Sequence, residues 1–390
     1  MNKTTILSTI FSISSLSILP ILAEPSTPEV QVTNSEESKS KSRMLAEEFG
    51  SLTNAKVALK LTAPDQKLVY FTKFVAEEEL AELKRIAPNL TVVTGLSKKE
   101  ALARAKEAHG VDTTYASEEF LKKATNLAWV QARSAGVDRY LKNEVLMNSD
   151  QITFSNQRAI HGPAIAEHSM AMLLSLTRNL RYYSDKQHAE EWVRRSREPD
   201  PTLNKPIALQ GKTMFVVGLG GIGSEIAERA NAFGMRVIGT RRSDKPSADY
   251  IEKVGKPDDL LKMLPEADVV ALAVPLTKET KGLINAEALK AMKKGSYLIN
   301  IARGEVVDTE ALIEALNSKQ LAGAGLDVTS PEPLPKGHPL WSTPNVVITP
   351  HMASNSVVTD TRRAALFREN LRRFASGEPL LNVVNKELGY

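Results

Sequence analysis

Three side chains in this sequence have the types needed to act together on a carbonyl next to a carboxylate: Arg303, Glu332 and His351. A guanidinium held in place can grip a carboxylate through two parallel hydrogen bonds and polarise the adjacent carbonyl. A histidine can donate a proton to that oxygen, and a carboxylate paired with the histidine keeps it oriented and charged. With a hydride arriving from the opposite side, the outcome is reduction of a 2-oxo acid to a 2-hydroxy acid. Each residue alone has an ordinary alternative: an ion-pairing arginine, a solvated glutamate, a capped loop histidine. What links them is position. Arg303 follows the strand-like run YLINIA, Glu332 lies just past AGLDV, and His351 directly follows VVITP. In an open parallel sheet the carboxyl ends of the strands border the ligand crevice, so three residues far apart in sequence become neighbours.

The hydride needs a carrier, and TMFVVGLGGIGSEIA supplies the pattern for one. Gly218, Gly220 and Gly223 follow a predicted strand directly and open a predicted helix, the arrangement that lets backbone N–H groups approach a pyrophosphate. About twenty residues on, an NAD site carries an acid for the ribose 2′-hydroxyl. Here the second strand ends VIGTRRSD, with Thr240, Arg241, Arg242 and Ser243 where that acid would stand. Two guanidiniums and two hydroxyls suit a 2′-phosphate, so NADP is expected as cofactor, in its reduced form NADPH. Two alternatives stay open: Arg241 and Arg242 as surface residues with NAD accepted as well, and Asp244 curling back to the ribose.

The elements that would position these residues are strands alternating with helices. Predicted strands run over Thr213 to Val217, Arg236 to Gly239, Val269 to Ala273, Tyr297 to Ile301, Ala324 to Val328 and Val346 to Thr349. Their near-continuous Val, Ile and Leu marks a parallel sheet covered on both faces. An earlier series predicts strands at Asn89 to Gly95 and Leu127 to Gln131, with helices at Lys98 to Ala108 and Ser117 to Lys123. Gly162–Pro163 opens a helix that is apolar nearly all round, which belongs between domains or subunits. Thr359 to Ala375 reads as a basic amphipathic helix packing back on the first domain. The expected fold class is α/β, a Rossmann-like dinucleotide-binding domain inserted in a flavodoxin-like substrate domain. The expected boundaries are 1–23 signal peptide, 24–54 linker, 55–160 substrate domain completed by 351–390, and 161–350 NAD(P)-binding domain.

The 390 residues suit two domains at about 150 residues each. Fifty basic and 46 acidic residues leave a net charge of +4, and the basic residues are scattered in pairs such as Arg194–Arg195, Arg362–Arg363 and Arg372–Arg373. That argues against nucleic acid as a partner, since polyanion binding calls for a concentrated basic face. The chain has no cysteine, which removes disulfides, thiolate metal sites and cysteine nucleophiles; no metal site is expected. Residues 1–23, MNKTTILSTIFSISSLSILPILA, resemble a secretory signal peptide with cleavage after Ala23. Export (periplasmic or secreted) is the expectation, and no membrane span in the mature chain. An uncleaved anchor and a cytoplasmic enzyme starting at Met44 are the alternatives.

From about Leu127 to Asn385 the chain resembles the D-isomer-specific 2-hydroxyacid dehydrogenase family, glyoxylate and hydroxypyruvate reductases included. The motifs SAGVD, AIAEHSMAMLLSLTR, VVGLGGIGSEIA, AVPLTKETKGLIN, LINIARGEVVD, GAGLDVTSPEPLP and NVVITPHMAS occur in the family's order. The resemblance implies His351 as general acid–base, Glu332 as its partner and Arg303 as the clamp on substrate carboxylate and carbonyl. It further implies Ala135 and Gly136 as backbone donors to the substrate carboxylate, and Gly221 and Ile222 at the pyrophosphate. Val274, Pro275 and Thr280 fall on the adenosine side, Ala302, Asp327 and His351 at the nicotinamide end. A homodimer with the helix after Gly162 in its contact is implied too. Two departures stand out: the ribose-binding acid is missing, and Thr329 and Ser330 replace an aromatic or larger residue common in the family. Formate dehydrogenases of the superfamily carry glutamine where Glu332 stands, which argues against formate. The other class of function on this fold is a dinucleotide-sensing binding protein of the corepressor type, which consumes no cofactor.

Overall fold

The structure, a computed structural model, describes residues 67–193, 204–244 and 246–389. The expected signal peptide and linker lie outside the described residues. Among the described residues twelve strands form two sheets, parallel throughout. One, of five strands, runs in the order β2-β1-β3-β4-β5. Its members are β1 (Leu68–Phe71), β2 (Leu90–Val93), β3 (Gly110–Asp112), β4 (Trp129–Gln131) and β5 (Thr153–Ser155). The other, of seven, runs β12-β11-β10-β9-β6-β7-β8. It comprises β6 (Thr213–Val217), β7 (Arg236–Thr240), β8 (Ile251–Gly255), β9 (Val269–Leu272), β10 (Ser296–Asn300), β11 (Leu321–Leu326) and β12 (Val346–Ile348).

The seven-stranded sheet is covered on both faces, as its apolar strands require. Successive side chains of a strand point to opposite faces. Met214 and Val216 accordingly enter one core with Ala271 and Ile299, while Phe215 and Val217 enter a second core with Val270 and Leu298. The helix Gly162–Thr177 lies on the first of these faces, with Pro163 in its first turn. It comes close because β11 carries glycine: a Cβ on Gly325 would stand 2.9 Å from Met172, and one on Gly323 would stand 3.1 Å from Leu176 Cδ2. β8 was not expected from the sequence. It closes the sheet as an edge, with Glu252 and Lys253 exposed. Charge on an edge strand discourages pairing with another chain, and it also hides the apolar rhythm by which strands are read.

The strands of the five-stranded sheet are only three or four residues long, and β1, β3 and β5 escaped the sequence reading. The expected helix at Lys98 to Ala108 is in fact two pieces, Lys98–Ala103 and the 3-10 turn Ala105–Glu107. Its start is fixed by a capping box in which the Ser97 hydroxyl accepts from the Glu100 N–H and Glu100 Oε2 accepts from the Ser97 N–H. The helix Val357–Ser376 packs Leu371 and Phe374 against Leu68, Tyr70 and Trp129, with the Trp129 and Phe374 rings 5.1 Å apart. Past it, Val383 bridges back to Ser155 of β5. Among the described residues no helix is long and apolar enough to cross a membrane, and no cluster of potential metal ligands occurs.

Candidate active site

β10, β11 and β12 are neighbours running the same way, so the segments leaving them leave from one edge. Arg303 comes three residues after β10, Glu332 six after β11, and His351 three after β12. The structure also packs these segments together. A Cβ on Gly304 would fall 1.9 Å from the Thr329 carbonyl oxygen, so only glycine allows the segment after Arg303 to lie against the loop that carries Glu332. The Thr309 hydroxyl donates to the Ser330 carbonyl at 3.0 Å and ties the same two loops.

His351 and Glu332 form a pair, with His351 Nδ1 2.7 Å from Glu332 Oε1; the two side chains are 46% and 40% exposed, so solvent or a ligand can reach them. A carboxylate can only accept here, so Nδ1 carries the proton and Nε2 is the nitrogen left to face a ligand. The histidine backbone has φ +52°, a left-handed conformation unusual for a side chain of this size. Asp327 explains how it is held. Its Oδ1 accepts from the Thr349 hydroxyl at 2.6 Å and the Met352 N–H at 2.9 Å, and its Oδ2 from the Ala353 N–H at 3.0 Å. The His351 N–H donates to the Asp327 carbonyl at 2.8 Å. Asp327 is 3% exposed, and His168 on the helix Gly162–Thr177 adds an Nε2 contact of 2.9 Å to the Thr349 oxygen. Asp327 was expected at the nicotinamide end. In the structure both oxygens of its carboxylate hold the 349–353 turn.

Arg303 reaches across to the first lobe. Its Nε and Nη2 donate to Asp138 Oδ1 at 3.1 and 3.0 Å, and its Nη1 to the Ala302 carbonyl at 2.7 Å. Its guanidinium lies so close over Gly136 that a Cβ there would sit 1.7 Å from Nη2. Ala135 and Gly136 are held by neighbours: Asn156 donates to the Ala135 carbonyl and the Ser134 hydroxyl to the Gly136 carbonyl. Among the described residues neither amide N–H of Ala135 or Gly136 donates a hydrogen bond. Two open backbone donors thus stand beside a guanidinium. Ala302 is buried and meets this region through its carbonyl.

The glycine turn has the shape a dinucleotide phosphate needs. Gly218 has φ +100° and a Cβ there would strike the Ala273 carbonyl at 2.9 Å, while one on Gly223 would strike the Gly218 carbonyl at 2.0 Å. Gly220 is the opposite case, exposed and with open space where a Cβ would be. Gly221 and Ile222 begin the helix Gly221–Ala232. The residues present therefore fit a pyrophosphate drawn close to backbone.

Around the second strand the picture is mixed. Thr240 was expected to face the cofactor, but it is 3% exposed and its carbonyl accepts from the Gly218 and Leu219 N–H groups. It shapes the turn from inside. Arg241 is half-buried, with Nη2 on the Ser247 hydroxyl at 2.8 Å and a buried Nε that has no partner among the described residues. Arg242 lies beside it, its carbonyl accepting from Lys256 Nζ at 3.2 Å. Asp244 pairs with Lys256, and that lysine holds its carboxyl below the usual range. Thr280 closes the 275–280 loop, donating to the Pro275 carbonyl at 2.6 Å and accepting from the Thr277 N–H at 2.8 Å, with Val274 half-buried beside it.

Asp138, His168, Thr349 and Lys256 were missed as participants. Asp138 closes the SAGVD motif and His168 is a lone imidazole in an apolar helix, so both left a signal; Thr349 and Lys256 left none.

Two lobes of parallel sheet, a glycine turn built for a pyrophosphate, and an imidazole–carboxylate pair and a guanidinium carried past the ends of three neighbouring strands define a dinucleotide-dependent oxidoreductase. Comparison with known proteins places it more closely. The model of the D-isomer specific 2-hydroxyacid dehydrogenase NAD-binding domain matches residues 170–353. A glyoxylate reductase of Pyrococcus furiosus is 36% identical over 296 residues, 75% of this chain and 87% of the relative. A D-isomer specific 2-hydroxyacid dehydrogenase from Xanthobacter autotrophicus Py2, solved in complex with NADPH and MES, superposes with a TM-score of 0.69 at 29% identity over 83% of this chain and 100% of that one. An NADPH-dependent glyoxylate/hydroxypyruvate reductase from Sinorhizobium meliloti, in complex with NADP and sulfate, gives 0.67 at 26% identity, again over 83% and 100%. The chain belongs to the D-isomer specific 2-hydroxyacid dehydrogenase family and is an NAD(P)-dependent oxidoreductase.

Proposed function

We propose that this protein reduces a 2-oxo acid to the D-2-hydroxy acid, preferring NADPH and accepting NADH less well. The observation that carries this reading is the placing of the His351–Glu332 pair and Arg303 at one edge of the seven-stranded sheet, with Arg303 lying against Gly136, whose amide and that of Ala135 are open. A nicotinamide cofactor supplies the hydride when bound. In the reduction Arg303 grips the substrate carboxylate together with the Ala135 and Gly136 N–H groups, and polarises the 2-oxo carbonyl. To do so it uses the N–H groups not spent on Asp138 and Ala302. His351 gives the proton at Nε2 to the carbonyl oxygen as the hydroxyl forms, and Glu332 stabilises the charged imidazole through Nδ1–H. Asp327 keeps the turn carrying His351 in place.

The NADPH preference rests on the pair Arg241 and Arg242, the addition of Lys256 and the absence of an acid at the ribose position. The names of the relatives support a small substrate: glyoxylate in the Pyrococcus furiosus protein, glyoxylate or hydroxypyruvate in that of Sinorhizobium meliloti. A homodimer is part of the proposal, supported by the exposure of Leu180, three residues beyond the helix Gly162–Thr177, and of Trp192, past the next helix Leu180–His188. Light scattering on the purified chain tests it. Export remains a reading of residues 1–23 alone; sequencing the mature amino terminus in the native host separates Glu24 from Met44 as the first residue.

The test of function is oxidation of NADPH and of NADH with glyoxylate, hydroxypyruvate, pyruvate and branched and aromatic 2-oxo acids. Turnover of at least one, faster with NADPH, is expected. Tight NADPH binding with no turnover on any of them overturns the reading in favour of a dinucleotide sensor.

A further inference from the structure

The carboxyl edge of the five-stranded sheet holds a second guanidinium that the reaction above does not use. Arg133 lies two residues past β4, three before Gly136, and its side chain is 44% exposed. Its ion partner among the described residues is Asp112 at the end of β3, with Nη1 3.7 Å from Oδ2, too far for a hydrogen bond. Asp112 does not depend on it. That carboxylate is 1% exposed and accepts from the Thr72 hydroxyl at 2.5 Å, the Thr114 N–H at 2.7 Å and, more weakly, the Lys73 N–H at 3.4 Å. A buried carboxylate fixed by three donors therefore steers the guanidinium by charge and leaves its N–H fork unspent. Arg303 differs sharply, since three of its N–H groups are already engaged on Asp138 and Ala302.

Each guanidinium stands at the carboxyl edge of its own sheet, the edge where ligands of open α/β folds bind. Two residues of chain separate Arg133 from Gly136, so their Cα atoms stand at most about 11 Å apart. A short dicarboxylate falls within that limit. A guanidinium fork suits a second carboxylate geometrically, with two parallel hydrogen bonds that a neutral chain end cannot make. We propose that Arg133 receives a second carboxylate at the far end of the substrate, so that the preferred substrates are dicarboxylic 2-oxo acids, bound at one end by Arg303 and at the other by Arg133. The proposal rests on the 2-oxo acid reductase reading and adds the chemistry of the substrate's distal end.

The experiment compares kcat/KM with NADPH for 2-oxoglutarate against 2-oxovalerate, and for oxaloacetate against 2-oxobutyrate, in the wild-type chain and in Arg133→Gln and Arg133→Lys. The wild type is expected to favour the diacid of each pair at least tenfold. Arg133→Gln is expected to reduce that preference at least tenfold, chiefly through KM, and Arg133→Lys to restore part of it. Thermal unfolding of each variant checks that the fold is kept. A wild type that takes 2-oxovalerate as well as 2-oxoglutarate, or a preference unchanged in Arg133→Gln, overturns the proposal while leaving the reductase reading intact. Failure to turn over any 2-oxo acid, glyoxylate included, overturns both.

Discussion

Asp327 and Asp112 occupy matching places in the two lobes. Each stands at the carboxyl end of its strand, each is nearly inaccessible, and each accepts from one threonine hydroxyl and two backbone N–H groups. They differ in what the anchored backbone carries. Asp327 gathers the turn 349–353 so tightly that His351 is held at φ +52°, whereas Asp112 joins the ends of β1 and β3 and steers Arg133 by charge. The same device therefore fixes the position of a proton donor in one lobe and of an exposed cation in the other. The bonding also differs in a way that substitution can read. Asp327 has a backbone N–H at 3.0 Å or less on each oxygen, so an amide in its place must set its own NH2 against one of them. At Asp112 the oxygen shared by Thr72 has besides it only the weak Lys73 contact and the Arg133 charge at 3.7 Å, and the threonine hydroxyl can turn to accept from an amide.

Asp327→Asn is expected to have the larger effect, a loss of about 3 kcal/mol in urea unfolding because a buried N–H group is left facing a donor. Its kcat falls as well, since the turn that carries His351 is released. His161 gives the next effect. Burial at the start of the helix Gly162–Thr177, with Arg363 adding to it, pushes its imidazole down to about 4. The unfolded chain takes up a proton near pH 6.5 and the folded one only near 4, so stability is full above pH 6.5 and is lost as the pH falls towards 4. Between pH 7 and pH 5 the loss attributable to His161 is roughly 2 kcal/mol, and urea titrations on His161→Gln should show that slope removed. Asp112→Asn is expected to cost the least, about 1 kcal/mol. Equal losses at Asp112 and Asp327 would remove the distinction drawn between them.

The seven-stranded sheet was readable because β6 and β10 are five-residue runs of buried side chains and β7 a run of four after the exposed Arg236, and the turn after β6 needs glycine at 218 and 223 whatever the rest of the chain does. β3 and β5 are three residues long, too short to show a period, and part of their burial comes from far along the chain, Val383 bridging to Ser155 and Val384 sharing a core with Val111 and Phe154. At the site, His351, Glu332 and Arg303 could be placed by residue type and by their position after strands. The direction of a side chain could not. Thr240 and Asp327 sit where a ligand-facing residue is expected, yet the pleat and the loop that follows turn them inward. Asp138 as the partner of Arg303, and His168 as the contact of Thr349, depend on two lobes or two elements meeting, which no local pattern encodes.

The proposed reduction depends most on His351 as the proton donor paired to Glu332. The direct measurement is kcat for glyoxylate reduction by His351→Ala, alongside the Kd for NADPH by fluorescence titration. A loss of two to four orders of magnitude in kcat, with cofactor affinity within a few-fold of wild type, is the predicted result. A kcat close to that of the wild type would contradict it.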